Sequence, residues 1–181
     1  VSCQYSQIMM YSKIIPYLLV WYLSATSLLD AQAPQTGFGD LIANAAKELQ
    51  CSVPDEQDPV SVNAVIVRGE NAGELAVVVK VTIALGWHIY AYVPADQPYI
   101  VTDQILQLPD GVLKAGAWIK SHATPSSTDR GVLNYEKEAV FYCLLISETS
   151  GSGTLKAGIL YQACNNRQCL PPQEKTMELN L

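Results

Sequence analysis

Histidine is scarce in this chain: two residues in 181, which leaves little room for histidine-based metal or acid–base chemistry. Basic residues are outnumbered, 11 against 17 acidic for a net charge of −6, and they nowhere cluster. A phosphate-binding face needs lysines and arginines gathered together, so nucleic acid is not an expected partner. There is no glycine-rich nucleotide motif and no internal repeat. Beyond Val60 no helical periodicity outlasts a turn, which excludes a helical bundle. No apolar run reaches the roughly 20 residues that a membrane-spanning helix requires.

What is present begins with a leader-like segment. Lys13 precedes the apolar run Ile14–Leu29, and the small residues of "DAQA" follow. That order predicts a signal peptide over residues 1–33, cleaved after Ala31 or Ala33, with an uncleaved anchor as the alternative. Export puts the remainder in an oxidising compartment. It also removes Cys3 and leaves Cys51, Cys143, Cys164 and Cys169. Residues 34–57 read as a linker carrying one short helix, Asp40–Gln50, with Asp40 as its cap.

The main domain is read over Asp58–Leu181, and from Val60 onward the period changes to two. "VNAVIVR", "ELAVVVKVTIA", "GWHIYAYV", "YIVTDQILQL", "VLKAGAWIK", "YEKEAVFYCLLI", "TLKAGILYQAC" and "KTMELNL" are separated by Gly, Pro, Asp and Ser turns. Seven or eight such runs predict an all-β antiparallel sandwich. Cys143, inside "AVFYCLLI", reads as a small buried hydrophobe. Cys51 lies in the linker, either free or bonded to Cys143.

The pattern that asks for chemistry is "YQACNNRQCLPPQ", residues 161–173. "NNRQ" suits a four-residue hairpin loop, which would set Cys164 opposite Cys169. Opposed residues of an antiparallel pair lie about 4.5–5.5 Å apart at Cα, within the range that a disulfide spans. Alternation puts Cys164 on one face with Lys156 and Gln162, a polar set that suggests access. Leu170 is held extended by the proline after it, and Pro171 and Pro172 lack N–H groups, so the second arm reads as an open edge. Spacing alone leaves three readings: a structural staple, half of a metal site, or an exchangeable bond. The ring is small, and closing it constrains the unfolded chain by only about 2 kcal/mol.

"YQACNNRQCLPPQEKTMEL", together with "VTIALGWHIYAY" and "LQLPDGV", resembles the N-terminal periplasmic domain of the DsbD thiol:disulfide interchange family, over about Asp58 to Leu181. The resemblance implies an immunoglobulin-like sandwich and a redox pair, Cys164 and Cys169, with Cys169 attacking the partner's disulfide. It implies electrons taken from a membrane donor and passed to thioredoxin-like periplasmic proteins, cytochrome c biogenesis among their uses, with no cofactor and no metal. His88 and Tyr90 of "GWHIY" fall beside the pair. His88 as an imidazolium, and Arg167 from within the loop, would lower a thiol pKa. Two departures stand out. The pair is spaced by four residues where the family often has five. The stretch "SHATPSSTDRGVLN", which matches the family's shielding loop, has no aromatic residue. The alternative function is a non-catalytic immunoglobulin-like binding module with a structural disulfide.

Overall fold

The computed structural model describes residues 37–148 and 153–181. The expected leader, residues 1–33, lies outside the described residues. Among those described, no helix is long and apolar enough to cross a membrane.

One layer is built on β1 (Val60–Arg68), β2 (Glu74–Ile83) and β9 (Glu138–Ser147), extended along β9 by the short β5 (Val112–Lys114) and β6 (Ile119–Lys120). β1 and β2 pair antiparallel from Val60↔Ile83 to Arg68↔Leu75, and β2 pairs antiparallel with β9. The facing layer has two parts. One is β12 (Gln173–Asn180), β10 (Thr154–Tyr161) and β4 (Asp103–Gln107); the other is β11 (Ala163–Asn165), β3 (Trp87–Tyr92), β8 (Leu133–Glu136) and β7 (Thr124–Pro125). β10 and β11 follow one another with only Gln162 between them, which joins the two parts.

The core lies between the layers. Val77, Val79 and Val81 of β2 and Phe141, Cys143 and Leu145 of β9 meet Leu155, Ala157, Ile159 and Tyr161 of β10 and Trp87 and Ile89 of β3. Every second residue of each strand points inward, as a pleated strand dictates. The result is the all-β antiparallel sandwich that the alternation predicts, of the immunoglobulin-like kind that the resemblance implies. More strands exist than the seven or eight expected, because β5, β6, β7 and β11 are only two or three residues long.

β2 carries an almost unbroken apolar run, which a strand needs only when both of its faces are covered. Its outer face, Ala76 and Val78, packs under α1 (Phe38–Glu48), whose Ile42 is buried there. The helix starts two residues earlier than expected. Gly37 is its cap, and Asp40 stands in the first turn, its carboxylate accepting the Gly37 N–H at 3.3 Å. Lys80 interrupts the apolar run and answers a second need: its ammonium donates to the Ala46 carbonyl at 3.2 Å and pairs with Glu138 at 3.1 Å.

Gly158 sits where β10 is flanked on both sides, opposite Thr176 of β12 and Ile105 of β4. The β12 backbone approaches it so closely that no side chain fits.

Candidate functional site

The hairpin closes as its sequence suggests. Asn165 N–H donates to the Gln168 carbonyl at 2.9 Å, and the Asn165 side-chain oxygen accepts from the N–H groups of Arg167 and Gln168 at 2.8 and 2.9 Å. This side-chain-to-backbone closure is what asparagine brings to a tight turn. Cys164 and Cys169 then form an antiparallel bridge and a disulfide, with their Cα atoms 4.0 Å apart. Leu170 N–H still reaches the Ala163 carbonyl at 2.8 Å, but Pro171 and Pro172 beyond it are exposed. β11 is the edge of its sheet, with β3 as its ladder partner.

The two sulfurs differ in environment. Cys169 is exposed, whereas Cys164 is 1 % exposed. The face expected for Cys164 is correct; the access expected from its polar neighbours is not. Cys164 lies in a second small cluster with Tyr90 and Val132, packed over by Val93 and Tyr99. Alternation tells which face a residue takes, and a loop decides whether that face is covered.

The covering loop, residues 93–102, takes in Tyr99–Thr102, which the alternation assigns to the strand "YIVTDQILQL"; that strand begins only at Asp103. Tyr99 stacks on Tyr90 with centroids 4.6 Å apart and planes 12° from parallel. Its hydroxyl donates to Asp129 at 3.3 Å, and Gln97 donates to the Arg130 carbonyl at 3.2 Å. So the stretch 121–134 does contribute, through Asp129, Arg130 and Val132, while the aromatic comes from elsewhere in the chain. The available signal was "PYI", beyond the corner of residues 93–97 that follows β3: a tyrosine in a loop that must fold back on the preceding strand. Gln162 ties this loop to the second arm, accepting from Ile100 N–H at 3.1 Å and donating to the Leu170 carbonyl at 3.3 Å.

Tyr90 is buried, and its hydroxyl lies 3.9 Å from Cys169 Sγ. Burial first, then the nearby Tyr99 and Asp129, pushes its pKa up to about 12. It is therefore a neutral hydroxyl beside the exposed sulfur. Arg167 stands exposed in the turn.

His88 is directly opposite Cys164 on β11 and opposite Glu136 on β8, and it meets the Tyr90 ring edge-on at 5.2 Å. Its Nε2 is buried and has no hydrogen-bond partner among the described residues. Burial lowers its pKa, while Glu136 and Asp129 pull the other way. The expected imidazolium is thus corrected to a neutral imidazole at neutral pH, because desolvation disfavours the charged form. This predicts a slope in stability. The folded value lies below the ordinary 6.5, so below 6.5 the unfolded chain takes up a proton that the folded chain does not. Stability from this group is whole above 6.5 and is lost as pH falls toward the folded value. Denaturant unfolding over the weakly acidic range should show that slope, and His88→Gln should flatten it.

Cys51 and Cys143 are both free thiols. Cys143 is buried in the main core as expected, and burial raises its pKa against the opposing effect of Lys114. Cys51 is half-buried, its thiol 3.4 Å from the Lys80 carbonyl. Among the described residues, no group of three His, Cys, Asp or Glu side chains is arranged to hold a metal ion.

No protein-family model matches the chain, and no curated protein matches it. Solved structures of similar shape include the reduced N-terminal domain of Neisseria meningitidis DsbD, 20% identical at a TM-score of 0.45, covering 71% of this chain and 90% of that one. The N-terminal periplasmic domain of Proteus mirabilis ScsB is 20% identical at a TM-score of 0.46, covering 72% of this chain and 49% of that one. The GAE domain of GGA2p from Saccharomyces cerevisiae is 10% identical at a TM-score of 0.41, covering 73% and 97%. At these values the likeness does not decide a family. The chemistry of the site rests on its own residues.

Proposed function

We propose that the chain is an exported thiol–disulfide exchange domain that relays two electrons through Cys164 and Cys169. In the reduced form the Cys169 thiolate attacks the disulfide of a thioredoxin-like partner and forms a mixed disulfide. Cys164 then attacks Cys169, restoring the internal disulfide and releasing the partner as a dithiol. A membrane-bound donor reduces the pair again. The observation that carries this reading is the inequality of the two cysteines: one exposed on the outer arm of the hairpin, the other buried behind it. A structural staple gains nothing from such an arrangement, whereas an exchange pair needs one sulfur that partners reach and one that they do not.

The test is the reduction potential of the Cys164–Cys169 bond. Structural disulfides typically lie below about −300 mV. Equilibration against a thioredoxin-like protein should give a higher value. A potential in the structural range would favour a binding module held by a passive disulfide.

A further inference from the structure

Nε2 of His88 is sealed from solvent and has no hydrogen-bond partner among the described residues. A buried polar atom left unpaired is costly and needs a reason. The register supplies one. His88 is directly opposite Cys164, and opposed residues of an antiparallel pair share a face with their Cβ atoms about 4.5–5.5 Å apart. In the disulfide form Cys164 has no proton to donate. On reduction an S–H group appears on the residue opposed to His88, whose Nε2 has no partner among the described residues.

Resting on the relay reading above, we infer that His88 is the general base of the resolving step, taking the Sγ proton of Cys164 onto Nε2. A buried thiol is a poor nucleophile, since desolvation disfavours its thiolate. Transfer to Nε2 gives a Cys164 thiolate and a His88 imidazolium. The thiolate attacks Cys169 Sγ in the mixed disulfide, the Cys164–Cys169 bond forms, and the Cys169–partner bond breaks. The partner sulfur leaves as a thiolate with the bonding pair, and the half-buried imidazolium becomes neutral again by losing one proton to solvent from Nδ1, the nitrogen that is not sealed. Electrons and protons balance without any further reactant.

The groups facing His88 suit this role. Glu136 opposite it on β8, and Asp129 from the loop before β8, both favour the transient imidazolium. Tyr90 on the same strand and Tyr99 stacked upon it both have raised pKa values and stay neutral, so neither competes for the proton. Burial keeps the resting imidazole neutral and ready to accept.

The step can be timed alone, with Cys51 and Cys143 replaced by serine and alanine. The reduced protein is mixed with an excess of an aromatic disulfide whose released thiolate is coloured. A first, concentration-dependent phase reports attack by Cys169; a second, concentration-independent phase reports displacement by Cys164. In the unmutated pair the second phase should rise through the acid range and be level at neutral pH, as for a base of lowered pKa. If Cys164 ionised unaided, that phase would instead climb about tenfold per pH unit into the thiol range. His88→Gln should slow the second phase about a hundredfold at neutral pH, in line with general-base contributions. It should leave the first phase intact and converge on the parent at alkaline pH. A second phase that keeps climbing through neutrality in the parent, or one that His88→Gln leaves unchanged or slows equally at every pH, overturns the assignment. The parent profile decides even if the variant fails to fold. Release of the first equivalent alone by the parent would overturn the relay itself.

Discussion

Cys164→Ala is expected to turn the chain into a trap for its partner. With Cys51 and Cys143 also replaced, the reduced variant mixed with an oxidised thioredoxin-like protein should accumulate a covalent complex, visible on non-reducing electrophoresis and dispersed by reductant. Cys169 is exposed at the end of the hairpin, and the arm beyond it is held off the ladder by Pro171 and Pro172, so a partner disulfide reaches it without rearrangement. Without Cys164 nothing resolves the mixed disulfide. Cys169→Ala should give no complex, because Cys164 is 1 % exposed behind Tyr90, Val132 and Tyr99. The contrast is close to all-or-none. Equal trapping by both variants would remove the polarity, and no trapping by either, across several partners, would refute the relay.

Gly158→Ala should have the largest effect on stability. A Cβ at this position would fall on the Lys175 carbonyl and 2.6 Å from Thr176 Cα, and both obstacles are backbone. No rotamer change relieves them; β12 must move away from β10. Overpacking of a tight interior costs up to about 3 kcal/mol. For a chain of this size that lowers the unfolding midpoint by roughly 10 °C. Thermal unfolding checks it directly, and a shift of a degree or two would mean that β12 yields freely.

Much of this architecture is legible in the residues. The alternation in β1, β9 and β10 fixes which side chains meet between the layers, and the face taken by Cys164 follows from the same count. The almost unbroken run of β2 implies cover on both faces, although nothing in it names α1 as the cover. The edge character of the hairpin was open to inference from two prolines, since a missing N–H acts wherever the residue lies. The burial of Cys164 was not. It depends on Tyr99, contributed by a loop whose path is set by Asp129, Gln162 and the Tyr90 ring, contacts far apart in the chain. The protonation of His88 failed for the same reason. A sequence lists charged neighbours, whereas a pKa answers to what excludes water.

The paired prolines have one more consequence. An uncovered strand edge is ordinarily where chains join one another, because its free N–H and C=O groups template a new strand. Here the arm next to Cys169 presents carbonyls with two successive donors deleted, and its prolines stand exposed. Another strand has no ladder to continue, so copies of this chain gain little by stacking at that edge. The reactive sulfur can therefore be left in the open: its surroundings admit a visiting disulfide and refuse a visiting backbone.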